Sequence, residues 1–339
     1  MRKRAIWGGI MGALIGLLVI GIGWWMVEQV PAVARLVKRP SPPATTTGVP
    51  VLSPVPSSRP QWIAFETKRG SLGDYEIYVI APDGSRLTNL TNCWADDVAP
   101  VWAPDGRRIA FVSFRDTLAG KVNLGNGSLY ILDFDPLTGA STGSVRRVTD
   151  DQGYDGWPTW SPDGQRLAFH SNRGGDWDIW VINEDGTGLT NLTCHPGDDR
   201  YPAWSPDGEK IAFTSERSGN QDIWIMNADG SNLVNLTATP GRDRYPMWSP
   251  DGRKLTFNTN RDGNQEIYVM NADGSDPTNL SRSPGSIEGL ASWSPDGRKV
   301  VLYSDRAGPK DLYVVDLETG QWLNLTHHPA SDEFCTWSP

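Results

Sequence analysis

The sequence of 339 residues predicts an all-β fold, namely a six-bladed β-propeller of four-stranded antiparallel blades. The main observation is a recurring Trp-Ser-Pro-Asp-Gly motif, in close variants, with tryptophans at Trp102, Trp160, Trp204, Trp248, Trp293 and, in a clipped copy, Trp337. Most copies lie 44 or 45 residues apart, and such a period is typical of propeller blades. The 36 glycines, 26 prolines and 16 tryptophans fit turn-rich blades and argue against a helical bundle.

One repeat shows how the four strands of a blade arise. Within residues 201–237, the segments 211–215 and 222–226 are nearly continuous apolar runs of strand length, as expected of a sheet covered on both faces. Residues 206–208, Pro-Asp-Gly, favour a tight turn, because proline fixes φ and glycine accepts a positive φ. Residues 218–220 and 227–230 repeat this turn chemistry, so each unit is predicted to be an up-and-down blade with strands a to d.

The count of repeats predicts how the ring closes. Copies of strand b begin at Ile63, Ile109, Leu167, Ile211, Leu255 and Val300. The first of these has no Trp-Ser-Pro motif before it, and the last motif, at Trp337, has no b strand after it. We therefore expect residues 334–337 to form the inner strand beside residues 62–67, because closure removes two exposed strand edges.

The first sixty residues predict a membrane anchor and a tether. Residues 5–27 carry no charge over 23 positions, enough for a transmembrane helix, and the basic residues 2–4 place the N-terminus in the cytoplasm. A cleavable signal peptide is the alternative, because residues 32–34 read Ala-Val-Ala, although the apolar run exceeds a signal-peptide core. Residues 28–60, with many prolines, serines and threonines from position 40 onward, predict a tether, and residues 61–339 the propeller.

The charge composition of the sequence limits the classes of partner that we expect. Residues 1–60 hold seven basic residues and one acidic residue, so a net charge of −9 leaves −15 for residues 61–339. Such an acidic domain is a poor match for a phosphate backbone, and we expect no nucleic acid partner. Gly8, Gly12 and Gly16 share one face of the predicted anchor, which would permit a weak homodimer in the membrane, although glycine is also common in such helices.

The sequence predicts no cofactor, no metal site and no catalytic residue. Three unevenly spaced cysteines, Cys93, Cys194 and Cys335, form neither a disulfide framework nor a zinc pattern and are interpreted as packing residues, with a single pair left open. His195 and His328 follow Leu-Thr in two different repeats, which is weak support for a metal site. No Gly-x-Ser-x-Gly motif and no α/β segment is present to supply a hydrolase triad.

Two sets of charged residues recur in every repeat. An acidic residue stands five positions before each motif tryptophan: Asp97, Asp155, Asp199, Asp243, Glu288 and Asp332. An arginine stands six positions after the start of each b strand: Arg69, Arg115, Arg173, Arg217, Arg261 and Arg306. In an up-and-down blade the d-to-a and b-to-c loops emerge on one face, so both sets should form rings there.

The rings are a candidate binding face, but a structural role is the stronger interpretation. A charge present in every repeat favours a task that every blade shares, such as an arginine bridging carboxylates between loops. Positions that differ between repeats would instead mark a unique ligand site. The extended segment 114–128 is such a departure on the same face, which adds Lys121 and Asn123 to the candidates, and residues 133–145 predict a longer c-to-d turn on the opposite face.

The repeat, best seen in residues 198–237 and 242–280, closely resembles the WD40-like propeller repeat of the TolB family. The resemblance covers residues 61–339 and implies a six-bladed propeller that binds other proteins in the bacterial cell envelope. TolB proteins carry a mixed α/β domain before the propeller, where this chain has the predicted helix and tether. Similar repeats occur in prolyl oligopeptidase-like peptidases, whose hydrolase domain has no counterpart here, and in oligogalacturonate lyases, which have a histidine-rich metal site.

The sequence therefore predicts a membrane-tethered propeller outside the cytoplasm, in the periplasm or at the cell surface. Its predicted role is non-enzymatic, as a TolB-like module that binds or scaffolds a protein partner. The alternative is a carbohydrate-active enzyme of the oligogalacturonate-lyase type.

Overall fold

The computed structural model describes residues 60–70, 73–118, 126–150 and 152–339, and it confirms the predicted fold class. These residues form six four-stranded antiparallel sheets, each with its strands in the order of an up-and-down blade. The predicted anchor at residues 5–27, its glycine face and nearly all of the tether lie outside the described residues. In the part of the chain that the structure describes, no helix has the length and apolar character needed to cross a bilayer.

The strands are numbered in chain order. Blade one contributes β1 (Ile63–Thr67), β2 (Glu76–Ile80) and β3 (Thr88–Asn89). Blades two and three contain β4 (Asp97–Trp102), β5 (Arg108–Ser113), β6 (Ser128–Asp135), β7 (Ala140–Arg147), β8 (Asp155–Trp160), β9 (Arg166–Ser171), β10 (Asp178–Asn183) and β11 (Thr190–Asn191). Blades four and five contain β12 (Asp199–Trp204), β13 (Lys210–Ser215), β14 (Asp222–Asn227), β15 (Val234–Asn235), β16 (Asp243–Trp248), β17 (Lys254–Thr259), β18 (Glu266–Asn271) and β19 (Thr278–Asn279). Blade six contains β20 (Glu288–Trp293), β21 (Lys299–Ser304), β22 (Asp311–Asp316) and β23 (Trp322–Asn324), and the last strand is β24 (Asp332–Trp337).

The ring closes as predicted, with the C-terminal strand completing the first blade. Strand β24 pairs antiparallel with β1, so that Trp337 lies opposite Ile63. Just beyond this pair, the backbone N–H of Ser338 donates to the carbonyl oxygen of Trp62 at 2.8 Å, and the N–H of Trp62 donates to the Ser338 Oγ at 2.8 Å. Every blade therefore has four strands, and no inner strand is left without a partner among the described residues.

Each inner strand carries a bulge at the same place. The pairing of strands a and b shifts after the second residue of strand a in all six blades. The third residue of each inner strand has a positive φ, between 40° and 57°: Ala99, Trp157, Tyr201, Tyr245, Leu290 and Phe334. Because none of these residues is glycine, the backbone is strained at each site, and the bulge turns six side chains toward the propeller axis.

The apolar core lies between the blades and explains the repeated motif. The b strands are almost wholly buried, with Phe65, Phe111, Phe169, Phe213 and Phe257 fully enclosed. In the turn between strands a and b, the Ser205 Oγ donates to Asp207 at 2.5 Å and accepts from the Lys210 N–H at 2.9 Å. The indole nitrogen of Trp248 donates to the Ala203 carbonyl oxygen of the preceding blade at 3.0 Å. The motif thus both closes a turn and joins neighbouring blades.

Blade two departs from the others in its outer half. Residues 133–145 do not form a longer turn, as the sequence predicted, but extend strands β6 and β7 into a longer hairpin whose turn is residues 136–139. The Trp62 indole nitrogen donates to the Pro136 carbonyl oxygen at 2.9 Å, and Gly139 lies against the same ring. The exposed residues of β7 gave no strand pattern in the sequence, because this strand buries no alternating apolar side chains.

Candidate functional site

The two charged rings meet on one face of the propeller, which we call the ring face after the six acidic residues that begin the inner strands. Each acidic residue has no solvent exposure and pairs with the arginine of its own blade. Arg217 contacts Asp199 at 2.7 Å and Arg115 contacts Asp97 at 2.8 Å, and the remaining pairs are Arg173–Asp155, Arg261–Asp243, Arg306–Glu288 and Arg69–Asp332. These pairs provide the shared structural task that a residue present in every blade suggests.

The arginine of each blade is also held by aromatic rings. The guanidinium of Arg217 lies 5.5 Å from the ring centre of Phe213 and 5.2 Å from that of Trp224, on the b and c strands of the same blade. Burial raises the pKa of Asp97, Asp155 and Asp199, and the arginine beside each acts in the opposite direction. The rings lie beneath the loops, and a direct role for them in binding stays a prediction.

A further set of buried acids explains the Asn-Leu-Thr sequence of the outer strands. Asp178, at the start of strand c in blade three, accepts from the Asn191 side chain at 2.8 Å and from the Thr193 hydroxyl at 3.1 Å. The Thr193 Oγ1 accepts in turn from the Ile179 N–H at 3.0 Å. Blade four repeats the contact between Asn235 and its acid at 2.9 Å. The fold therefore accounts for these residues without any modification of the asparagine.

The centre of the propeller is filled by an aromatic plug, which consists of Trp157, Tyr201, Tyr245 and Phe334. These are four of the six inner-strand residues with positive φ, and they come from four different blades. The Trp157 ring stacks on Tyr245 at 5.3 Å and meets Phe334 edge-on at 4.7 Å, so the contacts cross the axis. Tyr201 and Tyr245 lie 4.3 Å apart. The equivalent residues in the two other blades are the smaller Ala99 and Leu290, so the plug is asymmetric.

Polar side chains lie on the ring-face side of the plug. They form one layer below the opening of the central channel on the ring face, which we call the mouth. The carboxylate of Glu66 accepts from the Ala99 N–H at 2.7 Å, and the Asn258 side chain bonds Leu290 and Glu288 of the next blade. His170 accepts at Nδ1 from the Tyr201 N–H at 3.3 Å, so its Nε2 carries the proton. Burial, helped by the positive charge of Arg200, lowers the pKa of His170 to about 3, and this imidazole is neutral at physiological pH.

The residues that all repeats share do not reveal the third residue of the inner strand, because its type differs from blade to blade. At this position the six blades have alanine, leucine, phenylalanine, tryptophan and two tyrosines. The residue of strand b that pairs with the second residue of the inner strand also differs between blades. Examples are Glu66, His170, Asn258 and Tyr303. Comparing repeats for large side chains that differ would have marked both layers.

The remaining sequence candidates lie elsewhere or outside the described residues. Lys121 and Asn123 belong to the segment 119–125, which the structure does not describe. Cys335 is buried and packs in the core, whereas Cys194 is exposed, so the packing interpretation is wrong for Cys194. Among the described residues, no group of three or more histidine, cysteine, aspartate or glutamate side chains is arranged to hold a metal ion, and no disulfide joins the three cysteines.

Comparison with known proteins agrees with this architecture. The family model for the TolB β-propeller domain matches residues 125–246, and that for the tricorn protease N-terminal β-propeller domain matches residues 218–309. The Tol-Pal system protein TolB of Alcanivorax borkumensis is 34% identical over 119 residues, which cover 33% of this chain and 24% of the relative. TolB of Anaeromyxobacter dehalogenans is 32% identical over 128 residues, covering 38% and 26%. The chain thus aligns with about a quarter of the length of these relatives.

Solved structures show the same fold at lower sequence identity. The crystal structure of TolB from Acinetobacter baumannii superposes with a TM-score of 0.70 at 21% identity, covering 82% of this chain and 66% of that one. The oligogalacturonate lyase of Vibrio parahaemolyticus gives a TM-score of 0.51 at 15% identity, covering 76% and 72%. At these identities the similarity establishes the fold, and function has to be argued from the site.

Proposed function

Because the repeats of this chain belong to the TolB-like β-propeller family, we propose that it is a non-enzymatic protein-binding module that acts outside the cytoplasm. The observation that carries the proposal is where the repeats differ. Residues common to all blades form buried ion pairs and turns, whereas the side chains that differ between blades form the aromatic plug of the channel and the polar layer on its ring-face side. In a repeat protein, such departures are the natural places for a specific partner to bind.

The ring face also carries exposed apolar side chains. Trp94 and Ile287, in the loops that precede the inner strands of blades two and six, are 49% and 44% exposed. Strand β1 begins at the opposite end of its blade, where the Trp62 indole contacts Pro136. Exposed apolar residues beside charged ones are typical of the surfaces by which proteins bind one another.

We further propose that residues 5–27 anchor the protein in a membrane and that residues 28–60 connect this anchor to the propeller of residues 61–339. The support is the uncharged run of 23 residues after three basic ones and the proline-rich composition of the connection. The TolB relatives belong by name to the Tol-Pal system, and for this chain a cell-envelope protein partner is the corresponding proposal. A homodimer through Gly8, Gly12 and Gly16 is an additional proposal for the anchor.

The alternative function is that of a lyase-type enzyme acting on a carbohydrate. The structural similarity to an oligogalacturonate lyase supports only the shared propeller fold, since the identity is 15%. The histidines offer no specific support for this alternative: His170 is enclosed by aromatic rings, and the Nδ1 of His195 accepts from the Gly197 N–H at 2.9 Å. The protein-binding proposal therefore rests on more of the observed geometry.

The test is capture of a partner by the full-length chain in its native cells. The tagged chain is cross-linked in intact cells, purified in detergent and compared with two variants of equal expression. Trp94→Ser combined with Ile287→Ser alters the ring face, and Leu137→Ser alters a still more exposed apolar residue at the opposite end. We expect the wild type and Leu137→Ser to capture the same protein and the ring-face variant to lose most of it. Equal capture by all three chains, or none by the wild type, contradicts the proposal.

A further inference from the structure

Two consecutive blades place nearly identical segments at the channel mouth. Residues 197–206 read GDDRYPAWSP and residues 241–250 read GRDRYPMWSP, so only two of the ten positions differ. One difference is at the residue before the buried acid, which is Asp198 in blade four and Arg242 in blade five. The second residue of the inner strand is an arginine in both, Arg200 and Arg244. The two equivalent segments therefore differ in charge at one position only, where blade four has an aspartate and blade five has an arginine.

In blade four the arginine is neutralised within the chain. The Arg200 guanidinium contacts the Asp198 carboxylate at 2.7 Å and lies 4.3 Å from the ring centre of Trp177 in the preceding blade. Both charges are about one-third exposed, so the pair is accessible from the mouth. This contact shows what an arginine at the second inner-strand position binds when a carboxylate stands beside it.

In blade five the corresponding arginine has no carboxylate of its own. Arg244 donates to the Gln221 amide oxygen, and the Gln221 nitrogen donates to Glu216 at 2.6 Å, so a neutral side chain stands between this arginine and the Glu216 carboxylate. Arg242 is exposed, and within the described residues its guanidinium has neither an ion pair nor a hydrogen bond. The buried acid between them, Asp243, is held by Arg261 at 3.0 Å. Among the described residues, neither Arg242 nor Arg244 therefore has an ion-pair partner.

These arginines line a cavity that we call the arginine pocket, consisting of Arg242, Arg244, Asn258, Asn260 and Gln265. It measures about 110 Å³ and is also bordered by Tyr245 of the aromatic plug and by Thr259. Two acids elsewhere on the ring face have partners of their own: Glu333 pairs with Lys310 at 2.8 Å, and Asp96 accepts from the Tyr75 N–H at 2.8 Å. In a domain whose residues 61–339 carry −15, the pocket is a local site of the opposite charge.

We propose that the arginine pocket binds a carboxylate of the protein partner, which takes the place that Asp198 occupies in blade four. The proposal rests on the proposed protein-binding function and names the chemistry that the ring face recognises. Guanidinium groups stay charged and offer paired N–H donors that match a carboxylate, and a second arginine adds attraction that falls with rising salt concentration. The carboxylate comes from an acidic side chain or from a chain terminus of the partner.

The test uses the full chain in detergent and titrates it with N-acetyl-tetraglutamate amide, with N-acetyl-tetraglutamine amide as the uncharged probe. Arg242→Asp recreates the blade-four pair and should close the pocket internally, while Arg244→Gln removes the central guanidinium. Arg253→Gln, exposed in the a-to-b turn of the same blade, is the matched control. We expect the first two variants to weaken tetraglutamate binding at least about tenfold and the control to leave it unchanged. We also expect the tetraglutamine probe not to bind.

Equal binding of both probes, no measurable tetraglutamate binding, or unchanged affinity in Arg242→Asp and Arg244→Gln would overturn the proposal. Melting temperatures separate a lost site from a lost fold, and Arg242→Asp should melt like the wild type because blade four already tolerates the same residues. N-acetyl-tetraalanine with a free carboxylate, compared with its amide, tells whether a chain terminus is also accepted. If the native partner is captured equally by Arg242→Asp, the carboxylate proposal fails while the protein-binding function stands. If tetraglutamate binds but no protein is captured, the pocket recognises a carboxylate while the proposed protein-binding function fails.

Discussion

Glu66 is a buried acid that no arginine neutralises. Its side chain is 4% exposed, and its carboxylate accepts from the Ala99 N–H of the next blade at 2.7 Å. Burial raises its pKa to about 8; the negative charges of Glu333 and Asp96 add to this rise, and Lys310 acts against it. The protonated form of Glu66 therefore predominates at neutral pH.

This pKa predicts a pH dependence of stability. The folded-state pKa lies above the ordinary value of 4.5, so the contribution of Glu66 is fully present below that value and is lost as the pH rises through about 8. Glu66→Gln keeps an acceptor for the Ala99 N–H and abolishes the titration. Relative to wild type, we expect this variant to gain up to about 4 kcal/mol between pH 5 and pH 9, or roughly 8 °C or more in Tm.

The control for this prediction is Glu209→Gln, an exposed acid in an a-to-b turn. Thermal melts of the three full-length chains at several pH values give the comparison. Wild-type and Glu66→Gln melting temperatures that run parallel from pH 5 to pH 9 would show that Glu66 does not titrate as the structure indicates.

The ring pairs make a second prediction at the residue scale. Arg217→Ala leaves Asp199 buried without its cation and removes the contacts with Phe213 and Trp224. Breaking a buried pair on one side costs about 3–5 kcal/mol, so we expect a fall of at least about 6 °C in Tm. Arg253→Ala, an exposed arginine of the next blade, should change Tm by less than about 2 °C. Equal small effects would mean that the ring does not stabilise the blades.

At the scale of the element, strand β24 carries the closure of the ring. It supplies the inner strand of blade one, and Cys335 and Trp337 are buried in the core with Ile63 and Phe65. Deleting residues 332–339 exposes the edge of β1 and these apolar side chains. We expect a loss of more than about 5 kcal/mol, seen as aggregation or a strongly lowered Tm, whereas deleting Pro339 alone should have little effect. A full-length-like melt of the longer deletion would refute the role of this strand.

The strands could be predicted from the sequence because their signals are local and repeated. Turn residues such as Pro206-Asp207-Gly208 and the apolar b strands recur in nearly every unit, and the orphan motif at Trp337 identified the closing strand. The bulge in each inner strand could not be predicted, because a positive φ at Tyr201 or Trp157 is imposed by packing around the axis and not by the residue's own preference.

The candidate site was predictable only in part, for a related reason. Residues that recur, such as Asp199 and Arg217, were found at once, but they form buried pairs under the loops. The arginine pocket depends on a difference between two repeats, Asp198 against Arg242, and on Gln221 of the preceding blade. Which side chains from different blades meet at the axis is decided by the closed ring and is not written in any one repeat.

At the scale of the whole molecule, the two ends of the propeller present different residues. The chain reaches β1 at the end where Trp62 contacts the hairpin of blade two, while the arginine pocket and Trp94 lie at the other end. The surface proposed to bind a partner and the start of β1 therefore lie at opposite ends of the propeller.

The last prediction is that the proposed anchor, residues 5–27, is retained in the mature protein, because its retention would hold the propeller at the membrane. The uncharged run of 23 residues exceeds the 7 to 15 residues or so of a signal-peptide core, so we expect the membrane fraction to contain a chain that begins at Met1 or Arg2. N-terminal sequencing of protein purified from membranes measures this, and a mature end near Arg35 would contradict it. Leu17→Arg combined with Leu18→Arg is the matched test, because each arginine near the centre of the span opposes insertion by about 3 kcal/mol. This variant should leave the membrane fraction, whereas Leu17→Ile combined with Leu18→Ile should remain in it.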